Sequence, residues 1–295
     1  MVSLLLKILA AFPPSWVRSI PWLPVRRLAL GGLNIALKGQ PREFDVMTPL
    51  GFRIVGTTRD LIQRYVYVFG VWEPDATAAI WPYLRDGSAV VDVGANIGYF
   101  SLLAATAIGR AGSVHAIEAL PSTVELLRRN VARNDASTVT VHPVAASDHM
   151  GEVEMFRASA AFLGASSTTS GKISEGLVRC IRLDDLLRDI EPAAVTFLKV
   201  DVEGDEALVL RGAPRLLAGM PPGSAALVEL TSSAPAASAN RDAEAVVELM
   251  VSFGFAPFII PNEYSGKRYA DRRVTRPIAL EGRPTSFTDV LFVKE

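Results

Sequence analysis

From Ser88 onward, short segments rich in branched and aromatic residues alternate with segments of helical periodicity. The apolar run AVVDVGA precedes the helical pattern GYFSLLAATAIG, and SVHAIEA precedes PSTVELLRRNVARND in the same order. Alternation of this kind is typical of βαβ units, in which helices cover both faces of a parallel sheet. We therefore expect residues 88–295 to form an α/β domain with about seven strands in its main sheet.

The composition limits the class of protein and its partners. Hydrophobic residues make up 49% of the 295 residues, which is enough for a large core. Because 30 basic residues nearly balance 31 acidic ones, no overall positive field favours nucleic acid as a partner. The single cysteine, Cys180, excludes an internal disulfide framework and fits a reducing compartment. We expect a cytoplasmic protein.

Residues 1–43 form a basic, apolar segment with two tryptophans and no acidic residue before Glu43. Lys7 and four prolines interrupt its apolar runs, so no run reaches the length of a membrane span. It also lacks a clear signal-peptide cleavage site, which predicts a protein that is not exported. Two interpretations stay open: a helical cap on the domain or on a second subunit of a homodimer, and an interfacial helix through residues 1–40 on the inner face of a membrane.

Residues 44–87 link this segment to the α/β domain. The pattern FDVMTPLGFRIVG alternates apolar residues around a Pro-Leu-Gly turn and predicts a small hairpin. Helical spacing follows, with Pro74 near the start of a second helix and Gly87 after its end. We expect a hairpin and two helices that lead into the core.

The end of the first core strand predicts a small-molecule site. Asp92 ends the strand, and Gly94 and Gly98 follow at the position where doubly wound sheets bind ligands and where glycines let the backbone approach them. The motif GANIG lacks the middle glycine of the dinucleotide fingerprint, and Asp92 would repel a diphosphate. A cationic ligand fits better than a dinucleotide.

A second acid, Glu118, comes at the end of the next strand. A carboxylate at this position can accept hydrogen bonds from both hydroxyls of a ribose. A ligand that combines a ribose with a cationic part and carries no phosphate is S-adenosylmethionine. The two acids therefore predict S-adenosylmethionine as the cofactor.

Seven motifs together resemble the FkbM family of S-adenosylmethionine-dependent methyltransferases over about residues 60–295: VVDVGANIGYFSLLAA, HAIEALPSTVELLRRNVARN, AASDHMGEVEMF, IRLDDLL, LKVDVEGDEALVLRGA, LVELT and DVLFV. The most specific of them is LKVDVEGDE with the upstream LDDL. The resemblance implies a class I methyltransferase fold, a Rossmann-like, mostly parallel seven-stranded sheet with helices on both faces and an antiparallel last strand. It also implies O-methylation of a hydroxyl on a saccharide, glycolipid or natural-product acceptor.

The resemblance further implies contacts with the cofactor. Asp92, Gly94 and Asn96, together with Gly98 of the same motif, would contact the methionine part of the cofactor. Glu118 would bind its ribose, and Ala145 or Asp148 would lie at its adenine side. An alternative function is that of a non-catalytic protein that binds S-adenosylmethionine or acts as a membrane-tethered scaffold. Acceptor specificity would come from residues 158–172, residues 261–284 and the N-terminal segment.

Lys199, Asp201 and Glu203 are the candidate catalytic residues. They alternate, so they share one face if the strand continues that far. A hydroxyl acceptor must lose its proton, and the base would be Asp201, or Lys199 with a lowered pKa, with Glu203 orienting the acceptor. In a third alternative, Asp201 and Glu229 hold a divalent cation that acidifies the hydroxyl. Structural roles also stay open, namely a Lys199–Asp201 salt bridge and a helix-start acid at Glu203.

Overall fold

The computed structural model describes residues 14–157, 166–167, 173–230, 236–261, 263–271, 274–282 and 288–295. The strands are β1 Glu43–Met47, β2 Arg53–Thr57, β3 Ala89–Val93, β4 Ser113–Ile117, β5 Val139–His142, β6 Ala145–Ser147, β7 Gly151–Arg157, β8 Ser166–Ser167, β9 Ile173–Arg182, β10 Val195–Val200, β11 Ala225–Leu230, β12 Phe255–Ile260, β13 Ile278–Ala279 and β14 Thr288–Lys294. The helices are α1 Pro14–Arg18, α2 Leu23–Gly39, α3 Leu61–Phe69, α4 Pro74–Ile80, α5 Tyr99–Ala107, α6 Pro121–Arg133, α7 Leu183–Leu186, α8 Glu206–Arg211, α9 Pro214–Gly219, α10 Ala236–Ser252 and α11 Gly266–Asp271.

The main sheet has the strand order β13-β12-β14-β11-β10-β3-β4-β5. The five strands from β11 to β5 are parallel, whereas β14 lies antiparallel between β11 and β12. This arrangement confirms the predicted mostly parallel sheet with an antiparallel last strand. Within the described residues the sheet has eight strands instead of seven, because the two-residue strand β13 pairs with the edge of β12.

Two hydrophobic cores cover the two faces of this sheet, as alternation along a buried strand requires. In β10, Phe197 points into one core and Leu198 into the other. The first core, which we call the front core, contains buried residues of α2–α6, and the second contains buried residues of α8, α9 and α10. The predicted doubly wound α/β architecture is confirmed.

Prolines divide two segments whose apolar patterns predict one strand and one helix. The segment VTVHPVAAS forms β5 and β6 on either side of Pro143, which has no N–H for a ladder. The predicted helix DEALVLRGAPRLLA forms α8 and α9, because Pro214 starts a new helix at its first turn. Strand β6 leaves the main sheet and joins a small separate sheet, β6-β9-β7-β8, which was not predicted. Most of residues 158–172, from which part of the acceptor specificity is expected to come, lies outside the described residues.

The N-terminal extension packs on the domain. Strands β1 and β2 pair antiparallel, which confirms the predicted hairpin. Helix α2 buries Leu30, Leu33 and Leu37 in the front core, and Arg27 forms a two-pronged ion pair with Asp271 of α11. In the part of the chain that the structure describes, no helix combines the length and the hydropathy needed to cross a bilayer. The domain limits after residues 43 and 87 stay predictions.

Candidate functional site

A cleft of about 430 Å³ opens beyond the carboxyl ends of β3, β4 and β5. Its walls include Gly94 after β3, Glu118 after β4, and Ala145 at the start of β6. Three of the seven predicted cofactor residues therefore line one cleft at the predicted edge of the sheet. Val202 and Asp205, which follow β10, complete the wall on the side toward the candidate catalytic residues.

Gly94 lies where the residues that follow β3 contact those that follow β10. Its φ of +77° lies in the left-handed region, and a Cβ there would lie 1.7 Å from the carbonyl oxygen of Asp201. The requirement for glycine therefore comes from this contact within the protein, whereas the sequence suggested close approach to a ligand. Gly98 is constrained similarly, since its φ is +90° and a Cβ would lie 2.6 Å from Leu127.

Glu118 holds the glycine loop in place. Its Oε2 accepts the backbone N–H of Asn96 at 2.9 Å, and its Oε1 accepts that of Leu120 at 2.8 Å. Burial raises the pKa of Glu118 to about 7, although these N–H groups oppose the rise. Each carboxylate oxygen has a second lone pair for a further donor, so the side chain still fits a ribose diol at the cleft wall.

Asp92 does not line the cleft but points into the front core. Its Oδ2 accepts the hydroxyl of Ser101 at 2.6 Å, while its buried Oδ1 has no hydrogen-bond partner among the described residues. Burial raises the pKa of Asp92, and the ammonium of Lys199 on the neighbouring strand opposes the rise. Asp92 therefore belongs to the group around Lys199 and not to the wall of the cleft.

Two other predicted cofactor residues have local roles in the structure. Asn96 has a φ of +51°, and its side-chain oxygen accepts the N–H of Ile97 at 2.8 Å. Asp148 pairs with His149 at 2.8 Å, which lowers the pKa of the carboxyl, and it is not among the residues that line the cleft. Of the two candidates for the adenine side, Ala145 is the one in the cleft wall.

Lys199 lies at the centre of a group of buried acids beside the cleft, on the face of the front core. Its Nζ donates to Oδ2 of Asp201 at 2.7 Å and lies 5.0 Å from the ring centre of Phe100. Burial lowers the pKa of Lys199, but the charges of Asp201, Asp92 and Glu73 outweigh burial and raise it. Lys199 is therefore a stable ammonium, and the lowered pKa that a lysine base would need is absent.

Asp201 and Glu229 form a hydrogen-bonded carboxyl pair. Burial would raise the pKa of Asp201, but Lys199 and the hydrogen bond from Glu229 lower it. The charge of Asp201, together with burial, raises the pKa of Glu229 strongly. At neutral pH the pair therefore shares one proton, which resides mainly on Glu229. The Asp201 side chain is 26% exposed and that of Lys199 only 4%, so an acceptor can reach Asp201.

Glu203 lies apart from this group. Strand β10 ends at Val200, so the condition for Lys199, Asp201 and Glu203 to share one strand face is not met. Glu203 has a φ of +59° in the turn that follows and is exposed. Only five residues, 201–205, separate β10 from α8, which begins at Glu206. The carboxylate of Glu206 accepts the N–H groups of Val202 and Gly204 and so holds this turn.

The sequence interpretation missed Glu73 and Asp289, two buried acids of the same group. Glu73 precedes α4 with a φ of +42°, and its Oε1 accepts the hydroxyl of Tyr264 at 3.0 Å. Asp289 of β14 is the register partner of Glu229. Burial, with the charge of Asp289, raises the pKa of Glu73 to about 8. An acid directly before a helix-starting proline was the available signal for Glu73, but nothing local connects it with β10.

Glu73 makes the stability of the fold depend on pH. Since its pKa rises from 4.5 to about 8 on folding, its contribution is complete below pH 4.5 and is lost as the pH rises through 8. We expect the free energy of unfolding to fall between pH 4.5 and pH 8, and Glu73→Gln to remove up to about 5 kcal/mol of that fall. Urea unfolding at several pH values measures it. The exposed Glu125→Gln is the control, and parallel profiles for Glu73→Gln and wild type would contradict the assignment.

The described ranges contain no group of three or more His, Cys, Asp or Glu side chains placed to hold a metal ion. Asp201 and Glu229, the two metal ligands considered from the sequence, share a hydrogen bond with each other.

Comparisons with known proteins agree with the motifs. The model of the FkbM methyltransferase domain matches residues 92–255, which is more than half of the chain. A protein-L-isoaspartate O-methyltransferase of Methanothrix thermoacetophila is 40% identical over 50 residues, which is 17% of this chain and 24% of that protein. Another, from Caenorhabditis elegans, is 35% identical over 79 residues, 25% of this chain and 35% of that protein. The matches thus span about a quarter to a third of these relatives.

Solved methyltransferases show a weaker likeness. Fibrillarin of Aeropyrum pernix, in complex with S-adenosyl-L-methionine, aligns with a TM-score of 0.42 and 12% identity, covering 85% of this chain and 94% of that one. An S-adenosylmethionine-dependent O-methyltransferase of Thermotoga maritima aligns with a TM-score of 0.43 and 12% identity, covering 85% and 77%.

Proposed function

The chain belongs to the FkbM methyltransferase domain family, and we propose that it transfers a methyl group from S-adenosylmethionine to a hydroxyl of an acceptor. One observation carries the proposal: the cleft over β3, β4 and β5 lies beside the Lys199 group at the same edge of the sheet. For the acceptor we propose a saccharide, a glycolipid or another natural product, on the resemblance of the motifs alone.

The residues at this edge of the sheet suit the cofactor in chemistry and charge. S-adenosylmethionine supplies a methyl group activated by a positively charged sulfur. Glu118 would bind its ribose, Ala145 would contact the adenine side, and the Gly94 loop would lie along the methionine part. The carboxylate of Asp201 stays ionised at neutral pH, and the buried Oδ1 of Asp92 lacks a donor among the described atoms. Negative charge at this edge of the sheet would stabilise a cation at short range.

Asp201 is the residue to which we assign the proton of the acceptor hydroxyl. Its side chain combines partial exposure with a carboxylate that stays ionised at neutral pH. Lys199 fixes the orientation of this carboxylate through its 2.7 Å hydrogen bond, and Glu229 donates a second one. Asp201 is then the proton acceptor, whereas Lys199 and Glu229 position it.

The test of the cofactor assignment is a calorimetric titration with S-adenosylmethionine. We expect Glu118→Ala to weaken binding about tenfold or more, because it loses hydrogen bonds to the ribose. Asp92→Ala should weaken binding as well, because it removes a buried acid beside Lys199 at the end of β3, although Asp92 does not line the cleft. Asp148→Ala is the matched control and should bind within about twofold of wild type, since Asp148 pairs with His149 outside the cleft wall and does not belong to the group around Lys199. Unchanged affinity in both variants would refute the assignment. Tight binding without methyl transfer would instead support the non-catalytic alternative.

A further inference from the structure

The N-terminal helices expose an unusual number of large apolar side chains. We call this surface the outer patch, and it consists of Trp16, Trp22, Val25, Leu28 and Ile35. Trp22 is 75% exposed and Leu28 is 78% exposed, the two highest values among the exposed large hydrophobic residues of the described chain. Isolated apolar residues on a surface need no explanation, but a cluster on one short segment marks an interaction site.

Helix α2 is apolar on two opposite faces. One face, with Leu33 and Leu37, packs into the front core. At 100° per residue, Leu28 and Ile35 lie on the face opposite to that one, and Val25 lies at the side of the helix between the two faces. The inner face alone therefore explains how α2 packs on the domain.

The charges of this region select the partner. Every charged residue before Glu43 is a cation: Lys7, Arg18, Arg26, Arg27, Lys38 and Arg42. Of those in the described chain, Arg18 is buried and Arg27 is paired with Asp271, whereas Lys38 is exposed and Arg26 and Arg42 are partly exposed. A symmetric contact between two copies would bring the last three charges together, whereas an anionic surface would attract them. Tryptophan and leucine beside basic residues are typical of segments that lie in the headgroup region of a bilayer. We propose that the outer patch docks the protein on the surface of an anionic lipid bilayer.

An apolar groove lies next to α1, since Gly70 in its wall lies against Arg18. Phe69 and Trp81 also line this groove, and Trp81 is 46% exposed. The groove is a second exposed apolar surface near the N-terminal helices.

Vesicle co-sedimentation of the full chain tests the proposal. We expect binding to phosphatidylcholine vesicles that contain about one third phosphatidylglycerol and much weaker binding to phosphatidylcholine alone. Trp22→Gln combined with Leu28→Gln should lower the affinity for anionic vesicles at least about tenfold. The control combines Ile173→Gln with Leu177→Gln, two residues that are 59% and 67% exposed on β9, away from the patch. It should bind like wild type.

Three results would overturn the proposal. The wild type could fail to bind anionic vesicles, or the patch variant could bind them as well as the wild type does. In the third result the wild type is a dimer, the patch variant is a monomer, and neither binds vesicles. The last result, from sedimentation velocity, would assign the patch to a second copy of the chain. Titration of the patch variant with S-adenosylmethionine checks that its fold is retained. The vesicle result does not depend on methyl transfer, so this proposal and the proposed activity can fail separately.

Discussion

Asp201→Asn is expected to lower the rate of methyl transfer about 100-fold or more, while the affinity for S-adenosylmethionine changes less than about twofold. Asparagine keeps the shape of the side chain but cannot take a proton. The fold should tolerate the change, because Glu229 loses the neighbouring charge that raises its pKa and can then ionise beside Lys199. The measurement is the initial rate of labelled methyl incorporation into one acceptor-containing extract, with calorimetry for the cofactor.

The matched control for this change is Asp189→Asn, an identical substitution at an exposed position after α7. Its rate should equal that of wild type. A rate for Asp201→Asn within about threefold of wild type would remove Asp201 from the role of proton acceptor. Its hydrogen bond to Lys199 would then have a structural role only, which is the salt-bridge alternative of the sequence analysis.

Much of the fold follows from local patterns. The alternation of apolar strands with amphipathic helices determines a doubly wound sheet, and Pro-Leu-Gly between two short strands determines the β1–β2 hairpin. The small sheet β6-β9-β7-β8 does not follow, because hydrophobic patterns show that a segment is a strand but not which strand it joins. Pro143 is the local feature that indicates a break between β5 and β6.

The candidate site could likewise be predicted only in part. Gly94 and Glu118 were predicted because the ends of parallel strands meet at one edge, which is a consequence of topology. Glu73 and Asp289 were missed, since they come from a helix start and an antiparallel strand far away in sequence. The sign of a pKa shift depends on such neighbours, so the sequence left open whether Lys199 is a base. The surrounding acids decide that it is an ammonium.

Lys199 connects the activity of the site with its stability. Asp92, Asp201 and Glu73 all act on its charge, and all three side chains lie within or against the front core. We expect Lys199→Met to lower the free energy of unfolding by about 3 kcal/mol or more at pH 8, because removing one partner leaves buried carboxylates uncompensated. The pKa of Lys199 is raised from 10.5, so its contribution is fully present at pH 8 and below.

The loss should be smaller at pH 5, where Glu73 holds its proton and repels its neighbours less. Combining Lys199→Met with Asp201→Asn should recover part of the loss, since the double variant removes both an ammonium and a carboxylate. Urea unfolding of both single variants, the double variant and the exposed control Lys267→Met gives the coupling energy. Additive losses would show that the 2.7 Å contact between Lys199 and Asp201 contributes nothing to stability, and Asp201 would then need another group to hold it in position.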